Sequence, residues 1–343
     1  MDKTFFGNTP KGNISSLYTI SCGGITAKVT DFGAALVSLL VPDREGRLAD
    51  VVLGYDDASG YAKGTAFLGA VVGRNANRVQ GAAFRLGNST VRLTANEGAN
   101  NLHSGPDCYH LRLWQVTEHT ESAITLRLES PHGDQGFPGR AVIRVRYALD
   151  TTGTLTVSYE AVSDRDTVFN MTNHSYFNLA GHDRPELAMD QLLSMPARYF
   201  LPDDAQNIPT GEERSVAGTP MDFRLPKPLG QDIGRDYEPL RLQGGYDHNF
   251  EVFCNPCAIL RDPHSGRTMS ISTDCPGLQV YTANFLEDQG KDGVYYPRRS
   301  AVALETQFYP DCVNHPQWKQ PRVRAGAFYR SRTEYRFYSA DHK

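Results

Sequence analysis

The sequence predicts an all-β fold, a single large antiparallel β-sandwich with few short helices, and three observations carry that prediction. Apolar and polar residues alternate with a period of two in window after window, as strands with one buried face require. Turn formers are abundant, with 31 Gly and 20 Pro in 343 residues. The aromatics are 17 Tyr and 16 Phe against 2 Trp, residues that suit a pleated surface. No window of twelve residues carries a helical stripe of any length.

Taken along the chain, the elements follow from these patterns. The densest early apolar run, at 34–42, is far too short to span a bilayer. The best candidate for a short helix lies between Asp57 and Tyr61. Residues 84–86 and 91–93 flank a Gly87-Asn88-Ser89 turn, and 142–149 and 155–162 flank the polar turn at 150–153, so each set reads as a hairpin. Residues 124–128 alternate cleanly between apolar and polar. The Pro-rich stretch at 201–228 holds enough aromatic and apolar residues to be packed loops. Near the C-terminus Tyr329, Ser331, Thr333, Tyr335 and Phe337 share one face, while Arg330, Arg332, Glu334 and Arg336 share the other.

Composition narrows the function. Hydrophobic residues make up 40% and charged residues 22%, which excludes intrinsic disorder as the main state. Lys and Arg total 35 against 39 Asp and Glu, with no basic tract, which argues against nucleic acid or an anionic membrane as partner. The start has no apolar segment behind a basic one, so a cytoplasmic protein with reduced thiols is expected. The six cysteines, at 22, 108, 254, 257, 275 and 312, are then scattered thiols. The one close pair, Cys254 and Cys257, has no second CxxC to complete a zinc site, and no metal is expected. Glycosylation triplets at Asn13, Asn88, Asn170 and Asn173 are chance matches on this reading. Length alone suggests about two domains at ~150 residues each.

Phosphate-cradling glycine motifs, H-E-x-x-H and G-x-S-x-G are all missing. What remains is a set of polar residues in strand-like or turn-like contexts. In the run at 302–308 alternation sets Val302, Leu304, Thr306 and Phe308 on one face and Ala303, Glu305 and Gln307 on the other. Glu305 there marks either a solvated strand face or a functional group. His174 is crowded by hydrogen-bonding neighbours and reads as a satisfied structural group or a general acid. His103 follows turn residues on a loop, where binding groups tend to sit. Asp247 and His248 form either a polar site or an Asx-turn, and Asn77 with Arg78 either a site or a simple basic loop.

Together these residues fall into five ordered motifs. They are GRNANR at 73–78, NLH at 101–103, TNHSYFNL at 172–179, YDHNF at 246–250 and LETQ at 304–307. With VVLGY at 51–55, GFPG at 136–139, PTGE at 209–212 and GTPMDF at 218–223, the chain from about Pro42 to Asn314 resembles the galactose mutarotase (aldose 1-epimerase) family. Departures are few: Ser104-Gly105 stands where the family usually has two glycines, Met171 where it often has Leu, and 107–111 is unlike the usual versions.

The resemblance implies an isomerase that opens and recloses a hexose such as galactose or glucose, exchanging α and β anomers. That reaction asks for one base and one acid and no cofactor. The resemblance assigns Glu305 as base and His174 as acid, with His103 orienting substrate or sharing the acid role. It places Asn77, Arg78, Asp247 and Gln279 on the sugar hydroxyls. Phe285 is a possible stacking platform, although a core role is the expectation for any one aromatic here. Because residues from Asn77 to Glu305 must meet on one monosaccharide, residues 1–343 are expected to form one domain, as monomer or homodimer. The rival readings are a glycoside hydrolase using Glu305 with Asp247, a metal enzyme using His103, His174 and Glu305, and a non-catalytic sugar-binding module.

Overall fold

A computed structural model describes residues 2–339. Its three larger sheets are antiparallel and contain five, nine and six strands, and the remaining paired strands form two-stranded ribbons. The five-stranded sheet is a meander from Asp2–Asn8 to Leu48–Asp50. The nine-stranded sheet runs from Gln115–His119 through Ala123–Ser130, Ala141–Leu149 and Thr154–Ser163. It then takes in the C-terminal strand Phe328–Ser339 before Arg267–Thr273 and three shorter strands. The six-stranded sheet orders Tyr176–Phe177, Val302–Gln307, Gly277–Tyr281, Asp247–Glu251, Tyr199–Leu201 and Arg214–Ser215. The all-β sandwich expected from the alternation is the observed fold.

One continuous core joins the sheets. Leu126, Val145, Tyr147, Val157 and Tyr335 from the nine-stranded sheet meet Phe200, Phe250, Leu278, Val280 and Leu304 from the six-stranded one. The period of two does the rest. With Leu278, Val280 and Leu304 turned to that core, Gln279 and Glu305 must point out of the opposite face.

The hairpin read at 142–162 is Ala141–Leu149 paired with Thr154–Ser163, closing with Leu149 opposite Leu155. The smaller one pairs Ala83–Leu86 with Ser89–Arg92, so Ser89 belongs to the strand. The turn shrinks to Gly87-Asn88, with Gly87 at φ 59°. The C-terminal strand buries Tyr329, Ser331, Thr333, Tyr335 and Phe337 as its alternation requires. The short helix is Ala58–Lys63, capped by the Asp57 carboxylate, which accepts from Gly60 N–H at 2.9 Å. A second helix, Glu238–Gln243, escapes the sequence reading: it is equally short, and its N-cap Tyr237 makes no side-chain cap of the kind Asp57 supplies to the first.

Two expectations need correction. The strand Val302–Gln307 is buried along its whole length, so Glu305 lies on no solvated face; the outer side of its sheet is covered by loops. Asp247 and His248 form no Asx-turn but open the strand Asp247–Glu251. The six cysteines are free thiols, Cys254 exposed and Cys257 buried. Among the described residues no helix is long and apolar enough to cross a membrane.

The Asn173 side chain helps fix the segment leading into His174 to the core. Asn173 Nδ2 donates to Gly69 O at 2.8 Å and to Tyr147 Oη at 3.1 Å, while Tyr147 donates to Ala34 O at 2.7 Å. Asn173 Oδ1 accepts from Ser175 N–H at 3.1 Å and from the Ser175 hydroxyl. Replacing Tyr147 by Phe takes the donor from the Ala34 carbonyl and one of two acceptors from Asn173 Nδ2, so Y147F should cost about 1–3 kcal/mol of unfolding free energy in urea titration. A loss below about 0.5 kcal/mol would show that Tyr147 is no anchor.

Candidate active site

Strand register builds the floor of the site. Asn249 lies opposite Gln279, and Gln279 opposite Glu305, so three polar residues form a row across neighbouring strands. Asn249 Nδ2 donates to Gln279 Oε1 at 3.3 Å, and Gln279 Nε2 donates to Asp247 Oδ1 at 2.7 Å. The Gln279 amide therefore orients the Asp247 carboxylate from behind.

His174 approaches from the adjoining ribbon, where Thr172–Asn173 pairs with Val71–Val72. Its own backbone is held on both sides, His174 N–H to Ala70 O and Gly69 N–H to His174 O, each at 2.9 Å. His174 Nε2 then stands 3.6 Å from Glu305 Oε1, with His174 only 5% and Glu305 only 2% exposed. Phe67 stacks along the His174 ring at 5.7 Å and Tyr176 lies against it at 5.0 Å. Among the described residues His174 Nδ1 and Glu305 Oε2 have no hydrogen-bond partner.

The remaining wall comes from two facing loops. His103 N–H donates to Asn77 O at 3.0 Å, and Asn77 N–H donates to His103 Nδ1 at 3.1 Å. Accepting at Nδ1 puts the proton of the neutral ring on Nε2. Arg78 grips Glu97 with two bonds, Nε to Oε2 at 2.6 Å and Nη2 to Oε1 at 2.8 Å, which leaves Nη1 uncommitted.

These groups enclose a cavity of about 330 Å³. Asn77, Arg78, His103, His174, Asp247 and Glu305 line it, together with Phe67, Tyr176, Tyr281 and Glu97. Of the seven residues singled out from sequence, Gln279 alone sits behind the wall. Phe285 is no core residue: it is 71% exposed at the lip, with its neighbours Leu286 and Glu287. Tyr176 is two residues beyond His174 in the same motif and so was within reach of the sequence. Phe67 and Glu97 lie in segments with no distinguishing pattern. Among the described residues no group of three or more His, Cys, Asp or Glu is placed to hold a metal ion.

Burial sets the electrostatics. Desolvation first, and then the Asp247 charge, raises the Glu305 carboxyl well above the usual range, with Arg78 pulling the other way. Burial lowers His174 to about 4. Burial also holds His103 well below its ordinary value, and His174 and Arg78 add to that. Asp247 is itself raised by burial, against Arg78 and the Gln279 hydrogen bond. A carboxyl that prefers to take a proton thus faces an imidazole that prefers to give one up.

Comparison with known proteins follows the same line. Residues 16–336 match the family model described as aldose 1-epimerase. A galactose mutarotase from Bos taurus is 36% identical over 342 residues, covering 98% of this chain and 98% of that one. An aldose 1-epimerase from Haemophilus influenzae is 35% identical over 350 residues, covering 98% and 99%. The crystal structure of an aldose epimerase homologue from C. elegans superposes with a TM-score of 0.89 at 30% identity, over 95% of this chain and 100% of that one.

Asp247→Asn removes the negative charge that helps hold a proton on Glu305, so Glu305 should stay ionised to lower pH. Carboxyl carbon shifts of ¹³C-glutamate-labelled protein read this directly, and a Glu305 midpoint that stays put or rises would refute the coupling.

Proposed function

The chain belongs to the aldose 1-epimerase family and is an isomerase that interconverts the α and β anomers of a free aldose; from that premise we propose how its residues divide the work. Glu305 accepts the proton of the C1 hydroxyl while His174 delivers a proton to the ring oxygen. The C1–O5 bond breaks and leaves an open-chain aldehyde. Rotation about C1–C2 presents the other carbonyl face, and the same two groups then exchange roles to close the ring.

The observation that supports this most directly is the buried approach of His174 Nε2 to Glu305 Oε1 at 3.6 Å. One proton shared by this pair is enough for a full cycle. Ring opening takes it from the ion pair, Glu305 carboxylate with His174 imidazolium, to neutral acid with neutral imidazole. Burial favours that neutral state, so it drives both proton transfers in the opening direction.

His103 accepts from Asn77 N–H at Nδ1, so its Nε2–H is a fixed donor, suited to orienting the sugar rather than to cycling a proton. Asn77, Arg78 and Asp247 offer hydrogen bonds to hydroxyls, Gln279 supports Asp247 from behind, and Phe285 offers a flat face at the lip. We read galactose or glucose as the substrate, and the whole of 1–343 as one catalytic domain. Residues 1 and 340–343 of that span lie outside the described residues. A monomer or homodimer in the cytoplasm is the assembly that fits this reading. The relatives reported above carry epimerase and mutarotase names, which lends no support to the hydrolase or binding-module alternatives.

Polarimetry on freshly dissolved α-D-galactose and α-D-glucose tests the proposal. Wild type should speed the approach to equilibrium rotation, and Glu305→Gln or His174→Asn should each lower kcat by about 10²- to 10⁴-fold with the fold intact. Near-wild-type turnover in either variant would remove that residue from the mechanism.

The rate should follow a bell-shaped curve in pH. Its acid limb marks a second proton on the Glu305–His174 pair and its alkaline limb the loss of the single shared one. A rate that climbs steadily to high pH would mean that no shared proton is needed.

A further inference from the structure

We propose that Ser104 is a positioning residue for this site: its hydroxyl clamps the backbone of Asn75 and thereby fixes the loop that sets the His103 ring. The proposal rests on the reading of His103 as an oriented donor to the sugar.

Four hydrogen bonds join the His103-Ser104 turn to the 75–77 segment. His103 N–H donates to Asn77 O at 3.0 Å, and Asn77 N–H donates to His103 Nδ1 at 3.1 Å. Asn75 N–H donates to Ser104 Oγ at 2.7 Å, and the same hydroxyl donates to Asn75 O at 3.0 Å. The Ser104 side chain thus accepts from and donates to one residue's main chain, as a strand partner would. It is 1% exposed, and Asn75 beside it is 2% exposed, so removing the hydroxyl leaves a buried N–H and C=O with a lost partner.

The turn itself needs such a fastening. His103 and Ser104 sit at φ 50° and φ 76°, where side-chain-bearing residues are disfavoured and glycine is at ease. A serine retained there adopts a costly backbone, and its hydroxyl bonds offset that cost. The clamped segment also reaches the catalytic strand. Ala76 N–H donates to Asn170 O at 2.8 Å, and Asn170 Oδ1 accepts from Phe308 N–H at 2.9 Å, one residue past the end of the strand Val302–Gln307 that carries Glu305. Ser104 therefore secures the loop that sets the tautomer of His103 and presents Asn77 and Arg78, and it does so without touching the pocket.

The test uses Ser104→Ala and Ser104→Gly in the full-length protein, with two readouts. Long-range ¹H–¹⁵N spectra of ¹⁵N-histidine-labelled free protein report the His103 tautomer, and steady-state mutarotation reports KM and kcat. Both variants should move the His103 ring nitrogens towards averaged values and lower kcat/KM about tenfold, chiefly through KM. Should Ser104→Ala fail to fold, Ser104→Gly, which suits φ 76°, carries the test alone. Unchanged ring nitrogens with kcat/KM within about twofold of wild type would overturn the proposal. So would a loss of thermal stability alone, or a change in only one of the two readouts in an active enzyme. If wild type itself proves inactive, the functional reading falls, and the nitrogen shifts alone decide whether the clamp governs His103.

Discussion

The structure turns on a carboxylate held inside a fully buried strand. Glu305 stands in the middle of that strand, with one oxygen near His174 Nε2 and the other without a partner among the described residues. An ion in that position is strongly disfavoured, and the neighbouring Asp247 adds repulsion to the cost of burial. A globular protein keeps such a group only where the rest of the fold holds it against relaxation. Here that hold is the covalent logic of a strand: the residues on either side, Leu304 and Thr306, face the opposite way, towards the core.

Much of the surrounding structure reads as a response to that constraint. The six-stranded sheet spends one face on Phe250, Leu278, Val280 and Leu304, which is the core, and the other on Asn249, Gln279 and Glu305, which is the site. Side-chain amides then do what secondary structure cannot. Asn173 ties the His174 segment to Tyr147, Asn170 ties the 74–77 loop to the end of the catalytic strand, and Gln279 orients Asp247. Each is buried, and Asn173 and Asn170 also accept from the backbone N–H groups of Ser175 and Phe308. Arg78 belongs to the same pattern. Its charge tempers the proton affinity of both Glu305 and Asp247, while its own charge is answered by Glu97. The result is a pocket with strong local dipoles and no unpaired cation from Arg78 facing an uncharged sugar.

This division explains what was legible in the sequence and what was not. Alternation is a local property, so the hairpin at 141–163 and the buried face of the C-terminal strand could be read residue by residue. The same alternation suggested a wet face for Glu305, because a period of two tells which residues share a face but not what covers it. Loops that come from elsewhere in the chain cover it, and no local pattern reports them. The six residues named from the sequence that line the cavity lie in compact motifs, and the seventh, Gln279, sits one layer behind them. Phe67, which packs against the rings of His103, His110 and His174, had no such motif, and its contribution is visible only when three separate segments are brought together.

Burial that looks like a defect in a stability argument becomes the working principle in a chemical one. A hydrated carboxylate near pH 7 has little tendency to take a proton from a sugar hydroxyl, and a hydrated imidazolium holds its own proton with a pKa near 6.5. Dehydrating both moves them apart in opposite directions: Glu305 becomes the stronger base and His174, lowered to about 4, the stronger acid. Under the proposed division of labour, the shift in each is of the sign that ring opening needs, and burial is the main cause of both. The cost is that the charged pair needed to begin the cycle is the less favoured arrangement of the shared proton. The strand and ribbon limit that cost by holding the two side chains at 3.6 Å, close enough for each charge to stabilise the other while the sugar is engaged.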